Sequence, residues 1–398
     1  MAFNDAGLAG ARRGWHGRTA LRSMAVSMDA RFDLFVGSEA FWQAASADIA
    51  AARVRVLIQA MTFEGDSAGL RVAGAIGLSR AKERRVLVDD YSRHVINDTF
   101  LALSSDAALQ AEARATWDMF DALIASGAQV RVTNPVGRNP LNYVLRNHRK
   151  LLVMDNAVWI GGINFSDHNF AWHDMMVRIE SPAIADWFAG EFDKDWHGTP
   201  SPNSARMGAI DLHSLDGLHN ADGSRALLDL FEQAEQTLDV ISAYPTFPFV
   251  SAMARAARRG VAVSIYTPRP NNKPIVRDYL LGVAQRSGIR LRLLPDMTHV
   301  KAAMIDGRTV VAGSSNFDFV GYRVSAEYYA VLRDAGIVGQ FERDLFAPAR
   351  ASSSEPGAGD RSAWRSWRAN VALRAADVLI HGLRHPPRIG EWQRPARP

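Results

Sequence analysis

Residues 148–155 read HRKLLVMD, and residues 299–306 read HVKAAMID. Both are histidine, one residue, lysine, four residues, then aspartate. On a strand, residues i and i+2 project from the same face, so His148 and Lys150 point together, as do His299 and Lys301. The apolar run that follows each lysine places the motif on a buried strand. Asp155-Asn156 and Asp306-Gly307 then turn the chain into a second strand, VWIGG or TVVAG. The chain has five lysines among 46 basic residues, and these motifs use two of them. Random placement gives about 0.01 such motifs per chain, so two occurrences require a common cause.

Working outward, the surroundings repeat as well. In the first half, RVRVLIQAM (53–61) is a buried strand, GLRVAGAIGLSRAKE (69–83) a helix, and RRVLVDDYS (84–92) a second strand. A long helical region and Ser126-Gly127 lead to a third strand, AQVRVTN (128–134). In the second half, SRALLDLFEQAEQ is helical, TLDVISAY a strand, and FVSAMARAARRG a helix ending on glycine. VAVSIYTP, a further helix and IRLRLLP complete the same order. Strands alternating with helices of this length predict an α/β fold. It has two similar lobes, each a mostly parallel or mixed sheet flanked by helices, and they are related by a pseudo-twofold.

The expected division is a basic segment at 1–31, a first lobe at 32–200, a linker at 201–220 and a second lobe at 221–349. A flexible linker at 350–363 and a basic Trp/Arg amphipathic tail at 364–398 follow. In the tail, Trp364, Trp367, Val371, Ala375 and Val378 share one side; Leu373 and Ile380 blur the separation. Such a helix reads as an interfacial membrane element or as a helix docked on the body.

Charge is uneven. The net +4 divides into +6 for residues 361–398, +3 for residues 1–31 and about −5 for the body between them, counted as Lys and Arg against Asp and Glu. Basic ends on a slightly acidic body fit an anionic membrane surface better than nucleic acid, whose enzymes more often have a basic body. The chain holds no cysteine, which excludes disulfides, thiolate metal sites and a cysteine nucleophile. No stretch reaches the ~20 apolar residues of a membrane span, and no apolar run follows the N-terminal arginines. The expected location is cytoplasmic, peripheral to the inner (cell) membrane, with no obligate protein partner.

Bringing the halves together would gather two imidazoles and two ammonium groups, a set suited to a phosphodiester. The lysines neutralise non-bridging oxygens, a neutral imidazole attacks phosphorus, and a protonated one serves the leaving oxygen. GGINFSD adds Asn164 and GSSNFDF adds Asn316, amides placed to hydrogen-bond phosphate. The small residues before them let backbone approach closely. Asp174 and Glu327 can each orient a histidine through its other ring nitrogen. Asp155 and Asp306 are expected to support the turns rather than touch substrate. His168 and His173 are read as loop polar residues, and His213 and His219 make no metal pattern with acids.

HRKLLVMD…GGINFSD and HVKAAMID…GSSNFD resemble the paired HKD motifs of the phospholipase D superfamily. Within it the chain is most similar to the bacterial cardiolipin synthases, over roughly residues 32–347. The resemblance implies a catalytic set of His148, Lys150, Asp155, His299, Lys301 and Asp306, with Asn164, Asn316, Asp174 and Glu327 serving substrate. It implies no cofactor, no metal, and a two-step displacement through a phosphohistidine on His148. Phospholipids such as phosphatidylglycerol are the implied substrates. Alternatives are a hydrolytic phospholipase D, a phospholipase D-type nuclease and a non-catalytic phosphate-binding or scaffolding protein. The turn at Asp155 is about one residue shorter than its counterpart, and Ser325 stands where the family often has asparagine.

Overall fold

The computed structural model describes residues 22–23, 30–135, 144–360, 362–382 and 388–395. The basic segment 1–31 therefore lies outside the described residues except at 22–23 and 30–31.

The first sheet holds β1 (Arg31–Val36), β2 (Arg55–Ala60), β3 (Glu83–Asp89), β4 (Gln129–Thr133), β5 (Leu151–Met154), β6 (Ala157–Gly161) and β7 (Met175–Glu180), in the spatial order β4-β3-β2-β5-β6-β7-β1. The second holds β8 (Asn203–Met207), β9 (Ile210–Asp216), β10 (Thr237–Ser242), β11 (Ala262–Pro268), β12 (Arg290–Leu294), β13 (Lys301–Ile305), β14 (Thr309–Gly313) and β15 (Ala326–Leu332). Its order is β12-β11-β10-β13-β14-β15-β9-β8, with Arg22–Ser23 beyond β8. The orders correspond strand for strand, β9 standing where β1 stands. β2, β3 and β4 are parallel, as are β10, β11 and β12. The remaining pairings among β1 to β15 are antiparallel, with each motif strand reversing into its neighbour through a tight turn, and Arg22–Ser23 joins β8 in parallel. A last strand, β16 (Ile389–Glu391), pairs with β4.

Residues 201–220, expected as a linker, are instead the β8–β9 hairpin, with every residue of β9 buried. Residues 350–363 are also built in. Ser354 exchanges backbone hydrogen bonds with Leu293, and Arg269 pairs with Asp360.

Helices flank both sheets, among them α1 (Ser38–Ala51), α2 (Pro182–Trp196), α3 (Pro274–Ser287), α4 (Ala335–Phe341) and α5 (Ala363–His381). The inner faces of both sheets share one apolar layer. Leu57, Val153 and Ile160 of the first meet α2 and α4, and Ala302, Met304 and Val310 of the second close it. Phe188 of α2 meets Tyr328 of β15 edge-on at 5.3 Å. Each sheet's outer face has its own cluster. A shared central layer fixes the lobes to one another, and that is what brings the two motifs to one place.

The tail is no free appendage. α5 lays Ser366, Ala369, Leu373 and Ile380 on the body, and Arg323 holds Asp377 at 2.7 Å. The chain then returns to the first lobe, where β16 pairs with β4 and Trp392 is buried against Phe120. Leu373 and Ile380, off the tryptophan stripe, are the docking face. The stripe itself stays outward: Trp364, Trp367, Val371 and Val378 are all exposed.

Candidate active site

Both His-x-Lys pairs sit where β5 and β13 begin, at matching ends of the two sheets. The segment before each histidine is hydrogen-bonded to the other lobe. His148 N donates to Ala326 O at 2.9 Å and Ala326 N to Arg146 O at 3.0 Å. Reciprocally, His299 N donates to His173 O at 2.8 Å and His173 N to Met297 O at 3.1 Å. These two short parallel bridges put the residue after Ala326, Glu327, beside His148. They put the residue after His173, Asp174, beside His299.

The side chains complete the exchange. His148 Nδ1 lies 2.9 Å from Glu327, and His299 Nδ1 lies 2.8 Å from Asp174. With Nδ1–H given to a carboxylate, each ring turns Nε2 and its lone pair to the site. Ser314 donates its hydroxyl to the other oxygen of Glu327. Gly162 is required here, since a Cβ on it would sit 2.3 Å from the Asp174 carboxylate. Lys150 Nζ donates to His148 O at 2.9 Å, and Lys301 Nζ to His299 O.

The electrostatics follow from burial. Lys150 and Lys301 are at most 1% exposed. Burial, helped by the Lys301 charge, pulls Lys150 down to about 7. Burial likewise pulls Lys301 down to about 8, against the pull of Asp174 and Glu327. Both imidazoles are held well below their ordinary value by burial and by the two ammonium groups. Burial raises Asp174 and Glu327 to about 7 each. The site is a buried cluster whose lysines and acids are drawn toward neutrality, and an anion entering it favours the cationic forms of the lysines and imidazoles.

The other sequence-chosen residues divide. Asn316 Oδ1 is buried with no partner among the described residues. Asn164 is engaged, accepting from Thr62 N at 3.4 Å and donating to Asn169 at 3.3 Å. Asp155 and Asp306, placed by their motifs in the catalytic set, stand at the far ends of β5 and β13 from the histidines. Asp155 accepts from the amides of Arg53, Val54 and Arg55, and Asp306 from those of Glu235, Gln236 and Thr237. Both adopt positive φ, 48° and 52°. A buried strand separates them from the histidine–lysine cluster, so they hold turns.

Three residues went unnoticed in the sequence. Lys273 lies over the Tyr244 ring at 4.4 Å and its charge reaches both imidazoles. Tyr244 stands 6.2 Å from His299, and Trp172 stands 5.5 Å from it, centroid to centroid. Lys273 carried a signal: it is another of the five lysines. Arg149, between His148 and Lys150, turns away to pair with Asp195 and reach Ser214.

Among the described residues, one group of acids brings possible metal-ligand atoms within 4.8 Å: Glu64, Asp66 and Glu112. Asp66 is engaged by the amides of Gly69 and Asp167. Burial raises Glu64 to about 9, which favours a protonated carboxyl there. These acids are not part of the histidine–lysine cluster.

The family described as "Cardiolipin synthase, PLD-like domain" matches residues 46–196 and 227–347. Cardiolipin synthase B of Escherichia coli (strain K12) is 25% identical over 92% of this chain and 94% of its own length. Cardiolipin synthase A of Pseudomonas aeruginosa (strain UCBPP-PA14) is 26% identical over 80% of this chain and 66% of its own. Among solved structures, phosphatidylserine synthase from Haemophilus influenzae Rd KW20 has the same fold. It is 16% identical, with a TM-score of 0.66 over 89% of this chain and 95% of that one.

Proposed function

Since the chain belongs to the family of cardiolipin synthases with phospholipase D-like domains, we propose that it transfers a phosphatidyl group between phospholipids through a phosphohistidine. The observation that carries this reading is the pair of imidazoles, each held at Nδ1 by an acid of the opposite lobe. In the first step Nε2 of neutral His148 attacks phosphorus. The bond to the leaving alcohol breaks as His299 gives that oxygen its proton. In the second step His299 takes the proton of the incoming hydroxyl, which attacks phosphorus and frees His148. Lys150, Lys301 and Asn316 serve the non-bridging oxygens, on which charge builds in each transition state.

A membrane surface supplies the substrate, and α5 is suited to meet it. Trp364 and Trp367 stack at 5.0 Å and are 63% and 57% exposed. Val371, Val378 and Leu379 extend the apolar face, and exposed Arg368 lies beside it. Tryptophan with arginine on a helix face is the composition of an interfacial element. No helix among the described residues is long and apolar enough to cross a membrane.

The test is incubation of the purified protein with phosphatidylglycerol vesicles, followed by mass spectrometry of the lipids. Cardiolipin and free glycerol, both absent with His148→Ala, are expected. Phosphatidic acid in their place would identify water as the acceptor and the enzyme as a phospholipase. Turnover of single-stranded DNA with no lipid product would refute lipid chemistry altogether.

A further inference from the structure

Next to the histidine–lysine cluster lies a cavity that the mechanism above leaves unused. It is a groove of ≈ 640 Å³ bounded by Val36–Ala40, by Phe170–His173 and by Asp296–Met297. One end of it is the N-terminus of α1. Gly37 is the N-cap residue, with φ 88°, and no side chain caps the helix. The amides of Ser38, Glu39 and Ala40 precede the first helical hydrogen bond, Phe41 N to Gly37 O at 3.2 Å. These donors carry the positive end of a 14-residue helix.

A second observation at the same place points to a ligand. Ser38 lines the groove and is 3% exposed, yet its Oγ has no hydrogen-bond partner among the described residues. A buried hydroxyl with no partner costs free energy unless something binds it. The lining of the groove also includes His173. Of the acids present, Glu39 is paired with Arg71 at 3.1 Å, and Asp296 is exposed.

The groove is coupled to the reacting centre by two contacts. Gly37 N donates to Asp174 O at 2.8 Å, and the Asp174 carboxylate holds His299. Trp172 belongs to the groove wall, and its ring lies 5.5 Å from the His299 imidazole. His299 is the group that activates the incoming hydroxyl. An acceptor lipid brings that hydroxyl attached through a glycerol bridge to its own phosphodiester, which must rest close by.

We propose that the α1 N-terminus and Ser38 Oγ form an anion subsite for the phosphodiester of the acceptor lipid, distinct from the donor phosphate site between the lysines. This rests on the transfer reading above. Backbone amides at a helix start are a ready phosphate cradle. Occupying it would align the acceptor hydroxyl on His299 and favour a lipid alcohol over water. Ser38 touches neither reacting group, so its role is recognition of the acceptor.

The test uses the full-length protein with phosphatidylglycerol vesicles as donor and two soluble acceptors, deuterated glycerol and deuterated glycerol 1-phosphate. Wild type is expected to show a KM at least tenfold lower for glycerol 1-phosphate. Ser38→Asp puts a carboxylate where the anion would sit, and it favours the helix start electrostatically. It should erase that preference while leaving cleavage of bis(p-nitrophenyl) phosphate unchanged. Inorganic phosphate should compete with glycerol 1-phosphate in wild type alone. If Ser38→Asp keeps the tenfold preference, the subsite is wrong and transfer stands. The subsite is equally wrong if inorganic phosphate binding responds to Ser38→Asp but acceptor KM does not, since the groove would then hold a free anion only. If wild type forms no transfer product with any acceptor, both the transfer reading and the subsite fall.

Discussion

Glu327 of the second lobe lies 2.9 Å from His148 Nδ1 of the first lobe, and the reverse exchange joins Asp174 to His299. Neither lobe holds a complete histidine–acid pair from its own residues. The central apolar layer thus holds the site together, because sliding one lobe against the other would separate both pairs. Glu327→Gln should keep the fold and one hydrogen bond but lose the carboxylate that fixes the tautomer. A kcat loss of roughly 10²–10⁴-fold with little change in KM is expected. A loss under tenfold in steady-state kinetics would show that His148 needs no such partner.

Burial of the two lysines outweighs the pull of Asp174 and Glu327, and an anionic substrate between them would offset that cost. Lys150→Met is isosteric along the stem and removes the charge. It should lower kcat/KM by about 10²–10³-fold while raising thermal stability, because an ammonium that burial disfavours is gone. Scanning calorimetry and kinetics on one preparation check both signs. A destabilised Lys150→Met would mean the ammonium is a structural tie rather than a substrate contact.

Proton linkage gives an independent test. In the free protein Lys150 titrates near 7 and Lys301 near 8, and the imidazoles lie lower still. At pH 7.5 some of this charge is therefore missing. An anionic ligand raises each of these values, so binding takes up protons near neutral pH, and the lysine share of that uptake fades below about pH 6, where both lysines are already protonated. Titration calorimetry with orthovanadate in buffers of different ionisation enthalpy would measure this. Proton release, or no dependence on buffer, would contradict the assignment of the lysines to phosphate.

The repeat and the motif strands were legible because burial on both faces leaves a plain signature, a short run of apolar and β-branched residues. β9 was not. Its sequence, IDLHSLD, is rich in polar residues and follows a Gly- and Pro-rich stretch, so it mimics a loop. The structure shows why a buried strand tolerates it. Asp211 is held by Arg206 and Arg333, His213 bonds Ser204 and stacks on Tyr329, and Ser214 meets Arg149. Asp174 and Glu327 were legible as acids that could meet a histidine, and each does lie against one, but their exchange between lobes is a tertiary fact with no sequence pattern. Lys273 was readable by the rarity of lysine in this chain.

The motif aspartates make a prediction of a different kind. Asp306 gathers three backbone amides at a turn of positive φ and stands a strand's length from the histidines. Asp306→Ala should cost about 2 kcal/mol or more in chemical denaturation, with kcat per folded molecule unchanged. Its folded-state pKa lies below 3.8. Its stabilisation is therefore present above about pH 4 and lost as pH falls through the lowered value, and the variant should lack that part of the acid limb. A specific loss of kcat would place the aspartate in the chemistry after all.

Membrane association can now be tested without disturbing the fold. Deleting residues 361–398 would strip Leu373, Ile380 and Trp392 from the core, so a loss of binding would say nothing about the stripe. Trp364→Ser with Trp367→Ser changes only the outward face of α5. Two exposed indoles removed from an interface should weaken association with anionic vesicles by roughly tenfold or more. Thermal stability and cleavage of a soluble diester should stay the same. Adding salt should weaken wild-type binding further, since exposed Arg368 contributes through a screened charge. If the double variant sediments with phosphatidylglycerol vesicles as well as wild type does, α5 is a docked helix only and another surface meets the lipid.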